Sequence, residues 1–173
     1  NVVFSEDGEH VIDGSWGGDI IVRSAATGKV GFEHAFPGEL ITRIVHLPGN
    51  RWHVLHSPTV KVDQNVPEPD YFSVWTWPLT RPIDIVRIAE SQIDDLAVSP
   101  GADRLVTSSH GSVRLFRLSD GTELATAPRE FGGYGIAISA DGAEVACVDK
   151  GRITFRSGTN LQERRSIEIE YPS

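Results

Sequence analysis

The side chains with the clearest capacity for chemistry are three histidines, His46, His53 and His56, since imidazole is a frequent metal ligand. Two of them lie in the segment RWHVLHS, residues 51–57, which is typical of a strand. Side chains three positions apart on a strand point to opposite faces of a sheet, so we expect His53 and His56 not to share an ion. The pattern predicts edge or turn histidines with ordinary hydrogen-bond partners and no metal site.

Two pairs of adjacent carboxylates, Glu6-Asp7 and Asp94-Asp95, are the next candidates, because paired carboxylates serve as acid and base in glycoside hydrolysis. Catalytic pairs of that kind converge from different strands, whereas adjacent strand residues face opposite ways. Asp7 also precedes a glycine, as turn residues do. The single cysteine, Cys147, excludes an intrachain disulfide, and its apolar segment EVACVD predicts a small buried side chain.

Sequence motifs for a nucleophile elbow, a phosphate loop, a zinc protease and a CxxC metal site are all absent from the chain. The one glycine-dense stretch, FGGYG at residues 131–135, has no following helix whose N-terminus could hold a phosphate, and it is typical of a turn. We therefore predict no catalytic residue, no cofactor and no bound metal.

The elements that position these residues are strands. Apolar residues recur at every second position, and no segment keeps the i, i+3, i+4 spacing over the length of a helix. The predicted fold class is all-β. One pattern of strand, turn and strand occurs four times: VVFSEDGEHVIDGSWGGDIIVRS from Val2, IVHLPGNRWHVLHS from Ile44, LAVSPGADRLVTSSHGSVRLFRL from Leu96 and IAISADGAEVACVDKGRITFRS from Ile136. Equivalent positions at Ser5, Leu47, Ser99 and Ser139 are 42, 52 and 40 residues apart.

Turn residues divide each copy into four strands. An Asp-Gly or Pro-Gly pair separates the first strand from the second, glycine marks a hairpin into the third, and a further turn precedes the fourth. Each copy is therefore predicted to be a four-stranded antiparallel meander of roughly 40 residues, which is the period of a β-propeller blade. The predicted blades cover residues 1–39, 40–90, 91–130 and 131–173 of a single complete or partial propeller domain.

The first copy, FSEDGEHVIDGSWGGDIIVRSAATGK, resembles the repeat of the WD-repeat β-propeller family in its Asp-Gly turn, Gly-Ser-Trp strand end and Thr-Gly-Lys exit. The third copy resembles it nearly as well. The Trp-Asp pair of the family is replaced by Arg23-Ser24, Trp75-Thr76, Phe116-Arg117 and Arg156-Ser157, and the Gly-His pair is missing. The resemblance is to a divergent member, in which the His and Asp network that stiffens many blades of the family is not expected in its usual form.

The number of copies is smaller than the resemblance implies, because that family has about seven blades and this chain has four. Three arrangements stay open: an arc of a larger propeller, pairing with further blades in the same or another chain, and closure as a four-bladed ring. The start at Asn1 and the absence of methionine predict an excerpt from a longer polypeptide. An arc would expose apolar sheet faces that favour association.

Charge and hydropathy limit the partners. The formal net charge of −8 would repel a phosphate backbone, and no apolar run is long enough to cross a bilayer, so neither nucleic acid nor membrane is expected as a partner. One cysteine fits a reducing compartment. The chain is predicted to be soluble and cytoplasmic.

The predicted partner-binding surface is the face where the hairpins between second and third strands meet the connections between blades. An aromatic side chain beside two glycines, Trp16, is expected either to anchor a partner or to fold back over its own blade. The insertion at 58–70 either recognises a partner or is a tolerated excursion. The predicted partner-binding residues are Trp16, Arg43, Asp94, His110, Tyr134 and Lys150.

Strong repeats without catalytic motifs favour a non-catalytic scaffold that binds a protein or peptide. The alternative is the propeller portion of a larger enzyme, with either a hydrolase site in the central channel or a gating role. The preference rests on association with the fold, which by itself does not determine function.

Overall fold

The structure is a computed structural model that describes residues 1–47, 51–58, 70–76, 84–88, 93–101, 103–109, 111–129, 135–149 and 151–169. Within these ranges the chain forms sixteen β-strands and no helix, and the all-β prediction is confirmed. Accordingly, none of the described segments supplies a helix long and apolar enough to span a membrane.

The strands form four sheets, each a four-stranded antiparallel meander in chain order. Sheet 1 comprises β1 (Val2–Phe4), β2 (His10–Gly14), β3 (Asp19–Ser24) and β4 (Val30–Ala35). Sheet 2 comprises β5 (Glu39–Leu47), β6 (Arg51–Pro58), β7 (Asp70–Thr76) and β8 (Asp84–Ile88). Sheet 3 comprises β9 (Ile93–Val98), β10 (Arg104–Ser109), β11 (Ser112–Arg117) and β12 (Glu123–Pro128). Sheet 4 comprises β13 (Ile136–Ile138), β14 (Glu144–Asp149), β15 (Arg152–Ser157) and β16 (Glu163–Glu168).

The chain divides into two compact units, Asn1–Ser91 and Gln92–Ser173. The first unit contains sheets 1 and 2, and the second contains sheets 3 and 4.

The turn between the first and second strands repeats one hydrogen-bond pattern in sheets 1, 3 and 4. A serine hydroxyl donates to an aspartate carboxylate and accepts the N–H of the residue that opens the second strand. That N–H comes from His10 (3.0 Å), Arg104 (3.0 Å) and Glu144 (2.9 Å), and the serine-aspartate pairs are Ser5 with Asp7, Ser99 with Asp103 and Ser139 with Asp141. In all three turns the serine hydrogen bond lowers the pKa of the aspartate carboxyl.

The core of the first unit lies between sheets 1 and 2. Ile12, Ile20 and Val22 of sheet 1 belong to one buried cluster with Trp52 and Trp75 of sheet 2. The two tryptophans pair directly across β6 and β7, and both are fully buried. Burying side chains of this size stabilises a fold by about 1.5–3 kcal/mol each, so this interface orders both sheets.

The core of the second unit lies between sheets 3 and 4. Val106 and Leu115 of sheet 3 pack in one cluster with Val145 and Cys147 of sheet 4. Burial raises the pKa of the Cys147 thiol to about 11, so the side chain stays neutral. Cys147 is the small buried residue that its apolar strand predicts.

Candidate functional site

The hairpin between β2 and β3 carries Trp16, whose side chain is 84% exposed. Its backbone is held by Ser15, whose hydroxyl oxygen accepts the N–H groups of Gly17 (3.0 Å) and Asp19 (3.1 Å). The Gly18 N–H also donates to the Ser15 carbonyl (3.2 Å). Hydrogen bonds therefore hold the hairpin backbone, while the Trp16 indole is exposed to solvent. Trp16 does not fold back over its own sheet.

The segment that leads into sheet 2 braces this hairpin. The Phe36 N–H donates to the Gly18 carbonyl (2.9 Å), and the Ile41 N–H donates to the Ser15 carbonyl (3.1 Å). Gly18 has a φ of +86°, and a Cβ there would lie 2.7 Å from the Glu39 carbonyl oxygen and still closer to that of Phe36. Only glycine permits this approach, so hairpin and segment form one rigid support for Trp16.

The same backbone contact recurs in the second unit. The Arg129 N–H donates to the Gly111 carbonyl (3.0 Å), and the Ile169 N–H donates to the Gly151 carbonyl (2.8 Å). Both glycines have positive φ, as Gly18 does. The backbone hydrogen bond that braces the Trp16 hairpin therefore recurs with the repeat, whereas the residue at the hairpin tip differs between copies.

The predicted partner-binding residues fall into two groups. Trp16 and Arg43 belong to the first unit, and Asp94 to the second. Arg43 follows a bulge in β5 and is half-buried, whereas Asp94 is exposed at a bulge in β9. The remaining predicted positions, namely His110, Tyr134, Lys150 and most of the 58–70 insertion, lie outside the described residues.

The bulge in β9 separates the two carboxylates of the Asp94-Asp95 pair. Asp95 pairs with Ser108, Ile93 pairs with Ser109, and Asp94 is the extra residue between them. Asp95 accepts the Ile136 N–H (3.0 Å), which ties the first strand of sheet 3 to the first strand of sheet 4. Asp95 is thus a structural residue that the sequence did not distinguish from Asp94.

A chain of polar side chains inside the first unit was not predicted. The imidazole of His56 contacts the Glu39 carboxylate through Nδ1 and the Ser73 hydroxyl through Nε2 (2.6 Å). The Phe36 ring stacks on the imidazole, with ring centres 4.2 Å apart. The expectation of edge or turn histidines is wrong, because His53 and His56 are both buried on β6, which pairs on both sides.

The order carboxylate, imidazole, hydroxyl is that of a nucleophilic triad. Burial lowers the pKa of His56, while Glu39 acts in the opposite direction, so the imidazole is neutral near pH 7. Ser73 and His56 are 0% and 1% exposed, which leaves a substrate no access to either side chain. This geometry favours a structural role, in which the three residues satisfy one another inside an apolar interface.

The second unit places a different polar network at the equivalent position. The Thr154 hydroxyl donates to Asp149 (2.7 Å), and the buried Arg129 guanidinium lies 3.6 Å from the same carboxylate. Arg129 also donates to the Val148 carbonyl (2.8 Å). By strand register Asp149 and Thr154 correspond to His56 and Ser73. Both units therefore place a buried polar network at the same register position.

One sequence signal points to His56 in retrospect. In RWHVLHS the alternation places Trp52, Val54 and His56 on one face of the strand. A polar residue that continues an inward-facing apolar series marks a buried group that needs a partner.

The chain matches no family model and no curated protein sequence.

Proposed function

We propose that this chain is a non-catalytic interaction module that presents its hairpin face to a protein or peptide. The observation that carries the proposal is the 84% exposure of Trp16 on a braced hairpin. A large aromatic side chain supplies much contact area with few rotatable bonds, and tryptophan is enriched among residues that dominate binding energy. A pre-ordered hairpin also lowers the entropic cost of binding.

The proposal retains the other predicted contacts, each within its own unit. Arg43 and Asp94 would contribute charge at the first strands of their sheets. His110, Tyr134 and Lys150 would vary the recognition between copies, because loops on a rigid scaffold carry specificity. The insertion at 58–70 would extend this surface.

The test is peptide selection from a random display library against the purified protein, followed by measurement of Kd by fluorescence anisotropy. We expect Trp16→Ala to weaken binding of the selected peptides at least tenfold, equivalent to about 1.4 kcal/mol. The control is Leu124→Ala, because Leu124 is also exposed (39%) but lies on an outer strand of sheet 3. Selected peptides that bind Trp16→Ala as tightly as the wild type would overturn the role of Trp16.

The alternative, the propeller portion of a larger enzyme, draws support from the Glu39, His56 and Ser73 chain. It is tested with a fluorophosphonate probe and mapping of any adduct by mass spectrometry. Because Ser73 is fully buried, we expect no adduct. An adduct on Ser73 that disappears in His56→Gln would favour the enzyme instead.

A further inference from the structure

Each sheet has two faces, and the strand register shows which faces of different sheets are equivalent. In sheet 1, Phe4 pairs with Val11 and Val11 pairs with Arg23; in sheet 4, Ile138 pairs with Val145 and Val145 pairs with Arg156. We call the face with these residues the receiving face. In sheet 1 it carries Val2, Phe4, Val11, Asp13, Ile21 and Arg23; in sheet 4 it carries Ile136, Ile138, Val145, Cys147, Thr154 and Arg156.

The receiving face of sheet 4 is buried in the core shared with sheet 3. Ile136 is 9% exposed, and Val145 is 0% exposed. In sheet 1 the residues at corresponding positions are open: Val2 is 65% exposed and Phe4 is 62% exposed. The receiving face of sheet 1 therefore has the apolar character of a sheet interface but is not covered.

The opposite face, which we call the covering face, makes the other half of each interface. In sheet 3 it consists of Val106, Val113, Leu115, Ala125 and Ala127, which pack against sheet 4. The corresponding residues of sheet 4 are Ala146, Ile153, Phe155, Arg165 and Ile167. Ile167 is 49% exposed, whereas its counterpart Ala127 is 7% exposed. The covering face of sheet 4 is thus also open.

Both open faces carry charged residues as well as apolar ones. On the receiving face of sheet 1 the Arg23 guanidinium lies 3.2 Å from the Asp13 carboxylate. On the covering face of sheet 4 Arg165 lies 3.3 Å from Glu144 and 3.5 Å from the centre of the Phe155 ring. The register also places the exposed Glu33 opposite Ile21 on the receiving face, and Arg164 lies 3.7 Å from Glu144 beside Arg165. Carboxylates therefore outnumber cations among these groups of the receiving face, and cations outnumber carboxylates among those of the covering face, so the two faces are complementary in charge.

We propose that the receiving face of sheet 1 binds the covering face of sheet 4 in a second copy of this chain. The contact repeats, between two molecules, the pairing that joins sheet 3 to sheet 4 within one. It is a heterologous contact, because two different surfaces meet, so dimers extend to closed rings or longer chains. Four short strands cover roughly 19 by 17 Å, which is small for an interface, and we expect micromolar association.

The experiment uses sedimentation velocity from micromolar to near-millimolar concentration on the whole chain and three variants. Phe4→Glu places a charge on the receiving face, and Ile167→Glu places one on the covering face. Leu124→Glu is the control, because Leu124 is similarly exposed but is the bulge residue of β12 and lies on neither face. Circular dichroism checks folding, and Val2→Glu replaces Phe4→Glu if that variant unfolds.

We expect the wild type and Leu124→Glu to associate, and Phe4→Glu and Ile167→Glu each to lose at least tenfold in association constant when alone. An equimolar mixture of the two face variants retains one intact pair of faces, and it is expected to form a one-to-one dimer and nothing larger. A wild type that stays monomeric, or a mixture that fails to pair, would overturn the proposal. Undiminished association of Ile167→Glu would also overturn it, by indicating contact between two receiving faces.

Discussion

Single residues determine how each sheet pair tolerates polar groups in its core. His56 with Ser73 in the first unit, and Asp149 with Thr154 in the second, occupy equivalent register positions. Phe36 stacks on His56, whereas Arg129 lies beside Asp149. The residues at the two positions differ in chemistry, but in each the buried polar side chains contact one another, because an isolated buried polar group is costly.

The first prediction concerns Ser73. Ser73→Ala removes the partner of His56 Nε2 inside the core. We expect the free energy of unfolding to fall by about 1–3 kcal/mol, the cost of leaving a buried group unsatisfied. Chemical denaturation measures it, with Ser166→Ala on the exposed outer strand β16 as control. Equal stability of the two variants would contradict the structural role of the network.

The second prediction concerns the pH dependence of stability. Burial, and secondarily the charge of Arg51, lowers the pKa of His53 to about 4, below the value of 6.5 for an unperturbed histidine. Between these values the unfolded chain binds a proton that the folded chain does not, so acidification destabilises the fold by up to about 1.4 kcal/mol per pH unit. His53→Gln should show a shallower fall in unfolding free energy between pH 6.5 and 4. An unchanged slope in denaturation curves would argue against a neutral His53.

At the scale of elements, the hairpin glycines meet two different requirements, one of backbone conformation and one of close packing. Gly18 and Gly111 both have positive φ at equivalent hairpins. A Cβ on Gly18 would collide with backbone oxygens, whereas one on Gly111 would meet no atom within 4 Å. Both positions therefore require a residue that adopts a positive φ. Only Gly18 also requires the absence of a side chain, because the next segment packs closely against it.

This difference gives the third prediction. Gly111→Ala should cost about 1–2 kcal/mol, the price of a left-handed conformation for a residue with a Cβ. Gly18→Ala should cost distinctly more, because the hairpin must also move away from Phe36 and Glu39. Thermal unfolding of the pair of variants gives the comparison. Equal melting temperatures would show that the hairpin separates from the segment at little cost.

The exit turns before the fourth strands supply a related case. Gly28 and Gly121 have φ of +70° and +69°, and Leu161 adopts +58° at the corresponding turn. In all three turns this residue's N–H donates to a carbonyl four positions earlier. Leu161 is 1% exposed, so its packing in the core of the second unit offsets an unfavourable backbone conformation.

The fourth prediction separates these two contributions. Leu161→Gly relieves about 1–2 kcal/mol of conformational cost but loses a buried leucine worth about 2–5 kcal/mol, so we expect net destabilisation. Gly28→Leu adds the conformational cost without any packing, because Gly28 is exposed and has open space around it. Urea denaturation of both variants is the measurement. A stabilised Leu161→Gly would mean that strain outweighs packing.

At the scale of the whole molecule, Trp16 and Phe4, which represent the two proposed binding surfaces on sheet 1, lie toward opposite ends of β2. Trp16 lies at the tip of the hairpin that follows β2, and Phe4 pairs with Val11 near the other end of that strand. About 17 Å of extended chain separates residues 11 and 16. Binding at one surface therefore need not disturb the other.

The fifth prediction is that the two proposals are independent. Trp16→Ala should self-associate like the wild type, and Phe4→Glu should bind selected peptides with unchanged affinity, since distant substitutions usually act additively. Sedimentation and anisotropy on both variants test this. A Trp16→Ala variant that loses self-association would place the hairpin inside the interface between copies.

The sequence by itself determined the parts of this protein that depend on neighbours along the chain. The four meanders follow from local signals, because the Ser5 turn and the Gly18 hairpin are closed by hydrogen bonds over two to five residues. The exposed position of Trp16 at a hairpin tip was likewise one of two readings that its glycine neighbours allowed.

Only the tertiary structure decided which residues meet and which faces are covered. His56 lies 17 residues from both Glu39 and Ser73, and the strand pairing alone brings the three together. Phe4 and Ile138 occupy the same position in the repeat, yet Phe4 is 62% exposed and Ile138 packs in a core. Burial depends on the sheet that lies opposite, and a local pattern carries no information about that neighbour.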